Sequence, residues 1–319
     1  MVNLIRARLL GAIAVGLTAG VATALIVGLS PGRQNAFAAC PAVVAEFEAA
    51  AERVVEIDTP GGRIAATLAV PARVAPRALA LMFHGYTGSR NEIPVAGGEG
   101  MFARAARAFA ERGIAVLRID FIGSGKSDGA WADTRFSGQA RDAILAAQWL
   151  KAEHAGQDLP LGVLGYSQGG LVALRAAARA APFDRLALWN PVMDPMTTYG
   201  VIFGADAIRA AAALAGGDKA DAVFAETGLK PGFFAELVEA DPIADAAESA
   251  APILVVTGRR DSLVPDGAAL AGRIAEARAA DTLIVDLDAH HDLGARKEPA
   301  LLDRVIACSA GFLLGTAER

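Results

Sequence analysis

LGVLGYSQGGLVALRAAARAA, residues 161–181, decides how this chain folds. A short apolar run, Leu161–Gly165, ends in glycine, and an Ala-rich stretch of helical character begins three residues later. Between them stands Gly165-Tyr166-Ser167-Gln168-Gly169, a G-x-S-x-G pattern in a strand–turn–helix setting. Such a turn is tight and strained, and the glycines leave room where side chains would collide close to Ser167. It lifts the serine Oγ above the sheet and sets a helix N-terminus beneath it, where developing negative charge is stabilised.

Outward from this turn, strand-type and helix-type stretches alternate. Eight β-type runs read as Val54–Ile57, Ile64–Val70, Ala78–Phe83, Ile114–Ile119, Leu161–Gly165, Leu186–Trp189, Ile253–Val256 and Leu283–Leu287. Helical stretches read as Gly100–Arg112, Ser137–Glu153, Gly169–Ala181, Gly267–Ala279 and Ala300–Leu314. Unbroken apolar runs such as ALALMF and ILVV predict strands buried on both faces, hence a mostly parallel sheet with helices on each side. The first two runs alternate more and predict an antiparallel edge. Residues 191–251 interrupt the rhythm, with helical pieces expected at Asp206–Ala215, Asp218–Thr227 and Phe233–Glu239. A segment that long without a strand predicts a helical lid inserted between a first core part, 39–190, and a second, 252–319.

The 319 residues are 54% hydrophobic and 20% charged, which excludes a disordered chain. A net charge of −5 without any Lys/Arg tract argues against nucleic acid as a partner. Residues 1–38 have the plan of an export signal: Arg6 and Arg8, then 21 uncharged residues from Leu9 to Leu29, then Ala36-Phe37-Ala38. Cleavage after Ala38 is expected, with an uncleaved membrane anchor as the alternative, since about 20 apolar residues span a bilayer. Either way the body is expected outside the cytosol, periplasmic or secreted, touching membrane only through this segment. The two cysteines, Cys40 and Cys308, are too few for a disulfide framework or a Cys-based zinc site. They could form one bridge, or Cys308 could be a buried free thiol.

A serine needs a base to become a nucleophile. Of four histidines, His84 lies in an early loop and His154 in a charged helix end, leaving the adjacent His290 and His291 after the last strand. A carboxylate must orient the imidazole. Asp261, in GRRDSLVP directly after the strand ILVV, can reach the crevice above Ser167, and Asp194 is the fallback. The tetrahedral oxyanion needs two N–H donors, one from the residue after the nucleophile, Gln168. The other is expected from Tyr86 in HGYTGS, residues 84–89, where Gly85 lets the backbone come close. The Gly-rich stretch 120–129 has neither P-loop nor dinucleotide spacing, and no metal-ligand cluster or cofactor site is evident.

HGYTGS, DFIGSGKSDG, GYSQGG, GRRDSLVP and DAHHDL together resemble the α/β-hydrolase family, in the family's order, over about residues 54–314. HGYTGS with the Ser127-Asp128-Gly129 ending resembles the cinnamoyl/feruloyl esterase and serine aminopeptidase-like (monoacylglycerol lipase-like) branches. The resemblance implies an α/β-hydrolase fold with a mostly parallel eight-stranded sheet and a small helical lid. It also implies a cofactor-free Ser167–His291–Asp261 triad acting on a small-molecule ester, because the family's last loop carries its histidine where Asp288-x-x-His291 stands here. Lipase or monoacylglycerol lipase, thioesterase and serine aminopeptidase are the alternative activities, and a non-catalytic binding protein is the alternative class. Glu236 and Glu239, if they faced the site, would favour a peptide amine.

Overall fold

The computed structural model describes residues 25–27, 37–38, 40, 50–179 and 183–315. Each of the eight β-type runs forms a strand. They are β2 (Ala50–Thr59), β3 (Gly62–Pro71), β4 (Ala78–Phe83), β5 (Ile114–Ile119), β6 (Leu161–Tyr166), β7 (Arg185–Trp189), β8 (Ile253–Gly258) and β9 (Thr282–Leu287). The sheet order is β2-β3-β5-β4-β6-β7-β8-β9. β2 and β3 pair antiparallel, β3 pairs antiparallel with β5, and every pairing from β5 to β9 is parallel. A ninth strand, β1 (Leu25–Val27), pairs parallel with β9, so the sheet has nine strands rather than eight. Its three apolar residues take up the edge of β9, which would otherwise present unpaired backbone groups. β1 lies inside the stretch read as an export signal; the rest of that stretch, apart from Phe37 and Ala38, lies outside the described residues.

The parallel strands are buried because helices cover both faces. Leu79, Leu81 and Phe83 of β4 join the core under α2 (Phe136–Glu153), α3 (Gln168–Ala178) and α8 (Gly267–Ala277). Their alternates Ala78, Ala80 and Met82 join the core under α1 (Met101–Ala110) and α9 (Pro299–Leu314). A Cys40–Cys308 disulfide, with Cα atoms 5.0 Å apart, ties the chain ahead of β2 to α9. The free-thiol alternative for Cys308 is thereby set aside.

Between β7 and β8 the chain forms α4 (Pro195–Phe203), α5 (Ala205–Ala212), α6 (Pro231–Glu239) and α7 (Pro242–Glu248). The helix expected at Asp218–Thr227 is instead a series of turns. Gly216 and Gly217 precede it, Gly228 follows at φ 67°, and the Phe224 N–H bonds to the Leu229 carbonyl, closing the segment as a loop. α4 and α7 were not expected. Both begin with Asp-Pro, and Asp194 and Asp241 cap them by accepting backbone N–H groups of Thr197, Ile243 and Ala244. An N-cap aspartate followed by proline in the first turn is a readable helix start.

Candidate active site

The turn between β6 and α3 puts Ser167 at φ 53°, ψ −118°, a conformation that a side chain tolerates only when its surroundings enforce it. The enforcement is visible. Ser167 N–H donates to the Trp189 carbonyl at 2.9 Å, and its own carbonyl accepts from Gly170 and Val192, each at 3.0 Å. A Cβ on Gly169 would stand 1.9 Å from the Phe83 carbonyl oxygen. One on Gly165 would lie 2.5 Å from Gly169 O, and one on Gly170 2.5 Å from Pro191 Cβ. β4, β6 and the start of α3 approach so closely that only glycine fits.

Of the two adjacent histidines, the structure brings His291 to the serine. Its Nε2 lies 3.0 Å from Ser167 Oγ and its Nδ1 2.6 Å from Asp261 Oδ2. Asp261 is buried, and its other oxygen accepts the Leu263 and Val264 N–H groups at 2.9 and 3.0 Å. With Nδ1–H donated to this carboxylate, Nε2 is left to accept the serine proton. Tyr166 Oη and Asn190 Nδ2 both donate to the His291 carbonyl, fixing the loop. His290 instead places its Nδ1 3.0 Å from the Arg260 carbonyl. Asp194, the fallback acid, is spent on its helix cap.

The loop after β4 runs beside the serine. A Cβ on Gly85 would meet Ser167 Cβ and the Tyr166 ring at 3.3 Å. The Gly85 carbonyl accepts from His84 Nδ1 at 2.9 Å and from the Gly88 N–H at 3.1 Å. That peptide is trans, so holding its carbonyl on one side directs the Tyr86 N–H to the other. Among the described residues neither the Tyr86 N–H nor the Gln168 N–H has a hydrogen-bond partner. His84 is buried, which pushes its pKa down and keeps the ring neutral; its Nε2 accepts the Phe121 N–H at 3.2 Å. The stretch 120–129 is structural. Asp120 pairs with the Arg90 guanidinium and accepts the Arg90 and Lys126 N–H groups, at 2.6 and 2.9 Å, locking this stretch to the loop after β4.

Gln139, Glu92 and the side-chain contacts of Gln168 escaped the sequence reading. Gln168 donates through Nε2 to Gln139 Oε1 at 2.7 Å, and its Oε1 accepts from Tyr199 Oη of α4, so one buried chain runs from α2 through α3 to the insertion. Glu92 lines the same cleft. No motif distinguishes these side chains from ordinary helix or loop residues.

The cleft at Ser167 has a volume of about 440 Å³. Tyr86, Tyr166 and Tyr199 line it, and further rings pack behind Tyr86. The Tyr86 ring lies 5.3 Å from Trp131, 5.7 Å from Tyr199 and 5.8 Å from Phe203, and its burial pushes the phenol up to about 12. Glu236 does not line it: its carboxylate accepts the N–H (2.7 Å) and hydroxyl of Ser137, joining α6 to the start of α2. Glu239 is exposed and also absent from the cleft. Among the described residues no cluster of His, Cys, Asp or Glu could hold a metal ion.

A family model described as serine aminopeptidase, S33, matches residues 75–217. A thermostable carboxyl esterase from Bacillus coagulans superposes with a TM-score of 0.66 at 14% identity, over 84% of this chain and 99% of that one. Est1E from Butyrivibrio proteoclasticus, solved with ferulic acid bound, gives 0.60 at 22% identity, over 78% of this chain and 96% of the other. The esterase Pf2001 of Pyrococcus furiosus gives 0.59 at 21%, over 85% and 93%. The chain has the fold of the α/β-hydrolases. Its narrower kinship is thinner. The Escherichia coli "uncharacterized 31.7 kDa protein in traX-finO intergenic region" is 30% identical over 116 residues, and the match spans 38% of that protein's length and 36% of this chain.

Proposed function

We propose that this chain is an α/β-hydrolase, a serine esterase that cleaves carboxylic esters through an acyl-enzyme. The observation that carries the proposal is the position of His291, within hydrogen-bond reach of Ser167 on one side and Asp261 on the other. Ser167 Oγ attacks the ester carbonyl carbon while His291 Nε2 takes its proton. The oxyanion is received by the Tyr86 and Gln168 N–H groups, each such donor being worth about 10²–10³ in kcat. Collapse breaks the bond to the alcohol, which leaves with the proton from His291. A water molecule then attacks the acyl-serine, again giving its proton to His291, and the acid departs as Ser167 is reprotonated. Asp261 holds the tautomer and stabilises the imidazolium.

Esters of small or aromatic acids are the proposed substrates, because the rings of Tyr86, Tyr166 and Tyr199 line the cleft beside Ser167 and suit a flat apolar group. The ferulic acid held by Est1E is an aromatic acid of this kind. The protein is further proposed to be exported, cleaved after Ala38 with the loss of β1 or anchored by its first segment with β1 withdrawn from the sheet, either of which leaves β9 at the edge; a disulfide persists in an oxidising compartment and supports that location.

Hydrolysis of p-nitrophenyl esters of increasing acyl length, by wild type and by Ser167→Ala, tests the function. Short-chain and aromatic esters are expected to turn over, and the variant to lose at least about 10³-fold in kcat. Turnover retained in the variant would refute the assignment.

A further inference from the structure

The reaction described above leaves one acidic side chain in the cleft without a task. Glu92 lies midway along the loop between β4 and α1, at φ 57°, and its Oε2 accepts the Gly85 N–H at 2.7 Å. Among the described residues no Lys, Arg or His pairs with it, and burial pushes its pKa up to about 7. A half-buried carboxylate without a counter-ion is unfavourable, so its place in the cleft calls for an explanation.

Resting on the reading of Ser167 as nucleophile and Tyr86 N–H as oxyanion donor, we infer that Glu92 is a positioning residue that holds Gly85, and through it the Tyr86 N–H, toward the reacting carbonyl. A side chain at Gly85 would be crowded by Ser167 and Tyr166, and glycine puts almost no restraint on its own φ and ψ. The direction of the next N–H therefore depends on what grips Gly85 from outside. On its carbonyl side the grip is His84 Nδ1 and the Gly88 N–H. On its N–H side it is Glu92 alone. Gly88 supplies the space: a Cβ there would come 2.6 Å from Glu92 Oε2 and 2.9 Å from Oε1. Those atoms end a flexible side chain, so an added methyl displaces the carboxylate rather than the backbone.

The test is the rate at which Ser167 is phosphorylated by diethyl 4-nitrophenyl phosphate, read as 4-nitrophenol release, with kcat and KM for a p-nitrophenyl ester measured beside it. Phosphorylation needs the serine, its base and the oxyanion donors but no knowledge of the natural substrate. Glu92→Ala is expected to slow it about 10–100-fold, and to lower kcat similarly with KM within about twofold. Gly88→Ala should reproduce the loss without removing the carboxylate. Glu92→Gln, whose amide oxygen can still accept the Gly85 N–H, should restore the rate to within about threefold of wild type. Circular dichroism and Tm identify any variant that fails to fold, and the Gln and Gly88 variants then decide. Wild-type rates in both Glu92→Ala and Gly88→Ala would overturn the inference, as would a Glu92→Gln enzyme as slow as Glu92→Ala. A wild-type protein inert to the phosphate would instead bring down the serine-nucleophile reading itself, and this inference with it.

Discussion

The turn at Ser167 and the insertion between β7 and β8 are built on opposite terms. At the turn, nearly every residue is dictated by backbone geometry: Gly165, Gly169 and Gly170 each occupy a place where a Cβ would strike backbone or Pro191. In the insertion, Gly216 has nothing within 4 Å, and the packing rests on rings such as Phe203, Phe233 and Phe234 meeting edge to face. Many aromatic arrangements could fill that space, whereas only glycine fits the turn. The turn should be intolerant of change and tied to chemistry; the insertion should tolerate change and tune which substrates enter.

The contrast can be broken most sharply at the two aspartates that competed for one role. Asp261→Asn should lower kcat about 10⁴-fold with little change in Tm, because the imidazole loses the partner that sets its tautomer. Asp194→Ala in the insertion should leave kcat within about threefold and lower stability by about 1 kcal/mol, the loss of a helix cap. Equal kinetic losses would mean that both acids serve the histidine. Next in size, Gly169→Ala should destabilise by roughly 4 kcal/mol or abolish folding, since its methyl would collide with the Phe83 carbonyl. Gly216→Ala should lie within about 0.5 kcal/mol of wild type in urea unfolding.

A smaller effect separates the two regions by pH. Glu92 titrates near 7 in the fold, against 4.5 for a free glutamate, so the folded state holds its proton more tightly than the unfolded chain does. Stability therefore falls as pH rises from about 4.5 to about 7 and then levels off. Glu92→Gln should remove that loss, raising stability at pH 8 by about 1–3 kcal/mol while leaving it nearly unchanged at pH 4.5. A Tm difference independent of pH would contradict the raised pKa.

The legibility of the chain follows the same division. The strand positions, the elbow, Asp261 and the loop after β4 could be read because each depends on an apolar run, a required glycine or a chain-order rule. Choosing His291 over His290 needed the family resemblance, since adjacent loop residues differ only in direction, which local pattern does not encode. α4 and α7 were legible in their Asp-Pro starts yet passed over, because their interiors contain β-branched residues or are very short. The turns at 218–227 were read as helix because their composition is helical, while flanking glycines and a Phe224–Leu229 hydrogen bond close the loop. The Gln139–Gln168–Tyr199 chain and the Glu92–Gly85 contact join residues by tertiary approach, and nothing local announces them. β1 was unexpected because an apolar stretch after an arginine-bearing start reads first as an export signal.

The central claim is that Ser167 carries the acyl group. Rapid mixing of the protein with p-nitrophenyl acetate, followed by acid quenching and peptide mass spectrometry, tests it directly. The account predicts a burst of p-nitrophenol approaching one equivalent if deacylation is the slower step, and in any case one acetyl group on the peptide containing Ser167, accumulating further in a variant with impaired deacylation and absent from Ser167→Ala. Ester turnover that continues in Ser167→Ala, or an acetyl group trapped on a different residue, would contradict it.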